Sequence, residues 1–236
     1  MSKVNNQDRQ HELITDKFPY SPVSEAFRSL RTSLSFMSPD HPLQIILFTS
    51  AQVGDGKSLV LSNLAVSMAQ NSQQVIIVDA DLRRPMLHRF FGKPNHTGLS
   101  SVLTAETSFE DALQETGVEN TILLSGGESP PNPTELLASQ KMEQVLKKAK
   151  KDFDCVLVDS PPAFLVTDPV VLSGAVDGVI IVAAAQETEK EKIRRTKQKL
   201  GQAQANLIGT VLNKYPVGRR GYYTGYYNSY YGSSRE

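Results

Sequence analysis

Short apolar runs punctuate the chain: IILFT (45–49), VIIVDAD (75–81), TILLS (121–125), CVLVDS (155–160), GVIIVAAA (178–185) and LIGTVLNK (207–214). Each is continuous instead of alternating apolar with polar. Strands buried on both faces have this pattern, and such strands belong to parallel sheets covered by helices. Helical patterns lie between them at about 57–70, 134–151 and 188–204. Asn132-Pro133-Thr134-Glu135 opens the second with a cap, a first-turn proline and a capping-box glutamate, and Thr188 with Glu191 does the same for the third. Ahead of the first strand, Ser21-Pro22 reads as a cap with proline at the first helical position. Phe27, Leu30 and Leu34 then follow at helical spacing, until Ser38-Pro39-Asp40-His41-Pro42 ends the helix. Strands alternating with helices imply right-handed βαβ units, hence an α/β fold with a doubly wound, mostly parallel sheet.

The ends of the chain read differently. Residues 1–20 are polar without apolar periodicity and are expected to form a flexible arm, leaving 21–214 as the folded domain. Seven of the eight tyrosines lie at or after Tyr215, six of them in the doublets Tyr222-Tyr223, Tyr226-Tyr227 and Tyr230-Tyr231. Glycine, serine and asparagine fill the gaps, so 215–236 is expected to be a disordered tail.

Composition narrows the function classes. Twenty-five basic and 25 acidic residues give a formal net charge of zero over 236 residues, which argues against non-specific nucleic-acid binding. A single cysteine, Cys155, excludes an internal disulfide and any Cys-based zinc module. No apolar run approaches the ~20 residues of a spanning helix, and the polar start has no signal-peptide core, so the expected location is cytoplasmic.

Chemistry enters at Ser50-Ala51-Gln52-Val53-Gly54-Asp55-Gly56-Lys57-Ser58, between a strand and a helix. This is a P-loop in its required setting. Gly54 and Gly56 let backbone N–H groups curl around phosphate oxygens, Lys57 would reach the β- and γ-phosphates, and Ser58 would offer its hydroxyl to Mg²⁺. Ala51 stands where the common pattern begins with glycine. Two further strand ends are acidic, Asp79-Ala80-Asp81-Leu82-Arg83 and Asp159. Ligands sit at the carboxyl ends of strands in such sheets, so these aspartates would converge on the nucleotide. One or two can hold Mg²⁺ and another can take the proton of an attacking hydroxyl.

The P-loop, the DADLR and VDSPP strand ends and the tyrosine-rich terminus together resemble the bacterial tyrosine kinases of capsule and exopolysaccharide regulation. Glu25, Arg28 and Arg31 match that family's E-x-x-R-x-x-R element, which mediates ring-like oligomerisation. The resemblance covers about residues 21–236 and makes 21–214 a P-loop kinase domain that includes the oligomerisation helix. It implies ATP and Mg²⁺ as cofactors and autophosphorylation between subunits at Tyr222, Tyr223, Tyr226, Tyr227, Tyr230 and Tyr231. Lys57, Asp79, Asp81 and Asp159 would be catalytic, with Asp79 as base and Ser58, Asp81 and Asp159 on the metal. Gly54, Asp55, Gly56, Leu59, Arg83 and Asn213 would complete the nucleotide site, Asn213 near the adenine. The implied partners are a transmembrane adaptor of the polysaccharide co-polymerase type, further copies in a ring (an octamer in the fullest form) and a cognate phosphotyrosine phosphatase. The adaptor would recruit the chain to the inner face of the membrane; no specific nucleic acid is implied. Val53 replaces the family's usual proline, and Leu59 its usual small residue.

The rival reading is a partitioning or division-site ATPase switch. Those proteins carry a signature lysine five residues before the P-loop lysine, where this chain has Gln52. A structural subunit that binds ATP only for assembly would show the same nucleotide motifs.

Overall fold

The computed structural model describes residues 13–37 and 42–216. The six tail tyrosines and the first twelve residues of the expected arm lie outside them. In chain order the elements are α1 (Ile14–Lys17), α2 (Pro22–Met37), β1 (Ile45–Ser50), α3 (Lys57–Ala69), β2 (Val75–Asp79), α4 (Leu87–Phe90), α5 (Leu99–Leu103), β3 (Leu113–Glu115), β4 (Thr121–Leu124), α6 (Pro133–Leu137), α7 (Gln140–Asp152), β5 (Cys155–Asp159), α8 (Asp168–Ser173), β6 (Gly178–Ala184), α9 (Lys190–Gln202) and β7 (Leu207–Asn213). The strands form a seven-stranded sheet in the order β3-β4-β2-β5-β1-β6-β7. All pairings are parallel except that of β3 with β4.

The uninterrupted apolar runs follow from burial on two sides. Ile45, Leu47, Ile76, Val78, Val156 and Val158 face one core with α5–α9 residues such as Leu99, Leu137, Leu146, Leu172 and Leu200. Their neighbours Ile46, Phe48, Ile77 and Leu157 face the opposite core, filled by α3 and α4. Alternation along the strand therefore sorts residues between two apolar layers and leaves no polar face. Helix α3 lies over the strands and under α1 and α2, which explains why it is buried almost all round.

The expected arm is partly docked. Leu13 and Thr15 are buried, and the Thr15 amide donates to Asn63 Oδ1 of α3 at 2.9 Å. The polar sequence hides this because one turn contributes only two inward residues. The cap at Ser21 is as expected, its hydroxyl accepting from the Ser24 amide at 3.1 Å. The single helix expected over 134–151 is two, broken where Ser139 caps α7 by accepting from Met142 N at 3.3 Å. The Thr188/Glu191 capping box does not form: Thr188 turns to Asp55, and Glu191 pairs with Arg194 and Arg195. That last cluster also quiets the basic run of α9.

Candidate active site

β1, β2 and β5 are adjacent and parallel, so their carboxyl ends bring Ser50, Asp79 and Asp159 to one edge of the sheet. The chain leaves β1 through residues 51–56 and enters α3 at Lys57. Gly54 and Gly56 take φ of +90° and +84°, a left-handed conformation in which an L side chain is strained. Gly56 has a second reason: a Cβ there would sit 2.1 Å from the Asn213 side-chain nitrogen. Asn213 donates to the Asp55 carbonyl at 2.9 Å, so it braces the loop. Asp55 is itself buried, accepting from Gln52 N at 3.0 Å and from Thr188 Oγ1 at 2.6 Å. Both residues thus shape the cradle. Leu59 packs its side chain against the core.

Lys57 and Ser58 meet the aspartates directly. Lys57 Nζ donates to both oxygens of Asp159 at 2.8 Å, and Ser58 Oγ donates to Asp159 Oδ2 at 2.6 Å. Asp81 Oδ2 lies 3.8 Å from the same ammonium, and Asp81 Oδ1 accepts from Arg84 N at 3.1 Å. Burial works against the Lys57 charge, but Asp159 and Asp81 outweigh it and hold Lys57 above the ordinary lysine range. Burial pushes Asp81 up, opposed by Lys57. Asp79 is fully buried; Oδ2 accepts from Met86 N and Leu87 N at 2.9 Å, while Oδ1 has a longer bond of 3.3 Å from Asp81 N. Burial, followed by the charge of Asp159, pushes Asp79 up to about 8.

Arg83 is gripped from the side. Its guanidinium donates to Asp168 at 2.7 and 3.1 Å and to Thr134 Oγ1 at 2.9 Å, and Thr134 in turn donates to Asp168 at 2.6 Å. Asp168, buried at the start of α8, carries no local sequence signal of this role, and Thr134 and Thr188 read in sequence only as helix-start residues. On α2, Arg28 bonds Glu25 at 2.7 Å and the Pro19 carbonyl at 2.7 Å, while Arg31 donates to the Ser67 carbonyl of α3. Glu25, Arg28 and Arg31 are all half-buried.

The donor set fits a magnesium nucleotide. Asp81 and Asp159 outnumber the one buried ammonium, a charge imbalance that a divalent cation would correct. Mg²⁺ takes one or two carboxylates and completes its shell with phosphate and water, a donor set that Asp81, Asp159 and the Ser58 hydroxyl could begin.

This fold, with a P-loop between β1 and α3 and acidic ends on the neighbouring strands, defines a P-loop nucleotide-binding protein. A family model described as an AAA domain matches residues 43–210. The chain is 36% identical over 226 residues to the tyrosine-protein kinase YwqD of Bacillus subtilis, covering 94% of this chain and 95% of that protein. It superposes on the kinase domain of the Escherichia coli tyrosine kinase ETK with a TM-score of 0.83, at 33% identity, covering 89% and 84% of the two chains. The chimerical protein CapA2B2 gives the same TM-score of 0.83 at 36% identity, covering 86% and 90%. The septum site-determining protein MinD of Pyrococcus horikoshii, solved with Mg-ADP, shares the fold at a TM-score of 0.64 and 24% identity, covering 79% and 76%. The chain belongs to the bacterial tyrosine kinases and is a protein-tyrosine kinase.

Proposed function

We propose that the chain uses Mg-ATP to phosphorylate the tyrosine cluster Tyr222–Tyr231 of a neighbouring copy and so regulates capsule or exopolysaccharide synthesis and export. The observation that carries this is the convergence of Lys57, Ser58, Asp81 and Asp159 at the P-loop mouth, in a chain whose last residues are rich in tyrosine. The loop amides from Gly54 to Ser58 cradle the phosphates and Lys57 bridges the β- and γ-groups. Ser58, Asp81 and Asp159 hold Mg²⁺, which supplies charge neutralisation on the phosphates. Asp79, whose Oδ2 is held by the Met86 and Leu87 amides, would accept the phenol proton through the less tightly bonded Oδ1. The phenol oxygen then forms its bond to the γ-phosphorus as the bond to the leaving ADP oxygen breaks.

The half-buried Glu25, Arg28 and Arg31 of α2 join copies into a ring. A transmembrane adaptor of the polysaccharide co-polymerase type recruits the cytoplasmic chain to the inner membrane face and populates that ring, and a phosphotyrosine phosphatase resets it. Among the described residues no helix is long and apolar enough to cross a membrane.

The test is intact mass after incubation with Mg-ATP, with and without an adaptor tail peptide, beside a Lys57→Ala control. Additions of about 80 Da per phosphate, confined to residues 215–236 and absent from the control, support the reading. Steady phosphate release without added mass would replace it with the ATPase switch.

A further inference from the structure

A cavity of about 570 Å³, lined by residues from 96–107 and 128–131, lies outside the phosphate site. Ser100 and Thr104 wall one side, Glu128, Pro130 and Pro131 the other, and Glu106 joins from the turn after α5. Its two walls are tied at their base: Leu99 N and Ser100 N donate to the carbonyls of Ser125 and Gly126 at 2.7 and 3.0 Å, and Asn95 Nδ2 donates to the Gly127 carbonyl at 2.7 Å. Gly126 is pressed against Pro85 and Asp79; a Cβ there would lie 2.8 Å from Pro85 and 3.5 Å from the Asp79 carbonyl. The cavity therefore starts two residues along the chain from the Asp79 strand end.

Its chemistry is one-sided. No lysine or arginine lines it. Glu106 and Glu128 are exposed, and neither has an ion pair or side-chain hydrogen bond among the described residues. Two uncompensated carboxylates, a row of hydroxyls and two flat proline rings suit a cationic side chain followed closely by aromatic rings. The chain carries such a segment in Arg219-Arg220-Gly221-Tyr222-Tyr223.

Arg220 and Tyr222 lie two residues apart, about 7 Å when extended, so an arginine on Glu128 keeps the tyrosine doublet within that reach of the pocket. Reach favours a second copy as donor. β7 and β4 stand five strands apart in the sheet order, roughly 24 Å at the usual strand spacing. The seven residues from Asn213 to Arg220 cover at most about 25 Å fully extended, so a chain's own tail would be drawn taut.

We infer that this cavity is the acceptor-docking pocket: Glu106 and Glu128 take the Arg219-Arg220 pair of another copy's tail and set the Tyr222-Tyr223 doublet before the catalytic aspartates. The inference rests on the kinase reading above and specifies the substrate of that same site as a tyrosine preceded at short distance by arginine.

The test uses full-length Lys57→Ala chain as acceptor and full-length kinase carrying Glu106→Gln and Glu128→Gln as enzyme. The expected result is a rise of about tenfold or more in acceptor KM, the size of a lost charge-assisted contact, with kcat at saturating acceptor largely kept. A reversed kinase, Glu106→Arg with Glu128→Arg, is expected to fail on this acceptor and recover on one carrying Arg219→Glu and Arg220→Glu. That recovery separates docking from misfolding. An unchanged KM for the glutamine enzyme, or no recovery in the swapped pair, overturns the docking pocket alone. If the wild-type kinase leaves the Lys57→Ala acceptor unlabelled, transfer between copies fails and this inference falls with it.

Discussion

Lys57 and Asp159 meet across the mouth of the P-loop through two hydrogen bonds of 2.8 Å, the lysine from the start of α3 and the aspartate from the end of β5. Both are buried, so each is the other's main compensation. In the proposed mechanism Lys57 would serve the phosphates and Asp159 Mg²⁺, so binding Mg-ATP would exchange this ion pair for phosphate and metal contacts.

Lys57→Met should expose this trade. It leaves Asp79, Asp81 and Asp159 without their ammonium, so the apo variant should melt below the wild type by the equivalent of about 3 kcal/mol. Magnesium chloride alone should restore part of that loss in the variant while scarcely moving the wild type. Phosphoryl transfer should drop at least about a hundredfold, and chelation of Mg²⁺ should abolish it in the wild type. Thermal melts with and without Mg²⁺, together with a transfer assay, check both halves. A variant as stable as the wild type in chelator would contradict the ion-pair account.

The two loop glycines should respond unequally. At Gly54 an alanine meets nothing within 4 Å and suffers only the φ of +90°, a penalty of about 1–2 kcal/mol. At Gly56 the same strain is joined by the collision with Asn213. Gly56→Ala should lose more stability and more nucleotide affinity than Gly54→Ala. Asn213→Ala should recover part of the Gly56→Ala loss, giving a non-additive cycle, whereas additive losses would dismiss the collision. Urea melts and nucleotide titrations provide the comparison.

Much of this site is legible in sequence because its chemistry is local. Gly54 to Ser58 is one contiguous motif, and Asp79 and Asp159 end apolar runs whose period already says buried strand. What the sequence does not show are the distant partners: Asn213 donates to the Asp55 carbonyl, 158 residues away, and Arg83 to Asp168 and Thr134, none of them signalled locally. β3 escapes notice because a three-residue edge strand needs no apolar run. Ser139 splits an otherwise uniform helical pattern because its hydroxyl offers the backbone a cap.

Asp168 makes stability depend on acid. Burial raises its pKa, but hydrogen bonds from Arg83 and Thr134 prevail and hold it below the usual carboxylate range. With the folded value depressed, its contribution is fully present above the unfolded pKa of about 3.9 and fades as pH falls through the lower folded value. Arg83 is 40% exposed, so solvent screens the pair and its worth is about 1–2 kcal/mol. Asp168→Asn should therefore cost about that much at pH 7, with the gap to wild type closing below pH 4. Urea melts at pH 7, 5, 4 and 3 test it, and a gap that stays constant with pH would remove the charge from the explanation.

Phosphorylation should end docking by the same electrostatics that begins it. Each phosphotyrosine brings about −1.5 to −2 charges, so the six tail tyrosines would add roughly −9 to −12 to a chain of formal charge zero. The proposed pocket holds Glu106 and Glu128 and no cation, so phosphate placed two residues from Arg220 would meet carboxylates at close range. A peptide of residues 215–236 should then compete with the Lys57→Ala acceptor when unmodified and lose at least about tenfold in potency when phosphorylated at Tyr222 and Tyr223. Because the repulsion is between exposed charges, raising salt from 0.05 to 0.5 M should narrow that difference while weakening the unmodified peptide as well. On a kinase with Glu106→Gln and Glu128→Gln the unmodified peptide should lose the advantage that arginine docking gives it, which narrows the difference. Equal competition on the wild-type kinase at low salt would mean that the tail leaves the site for another reason.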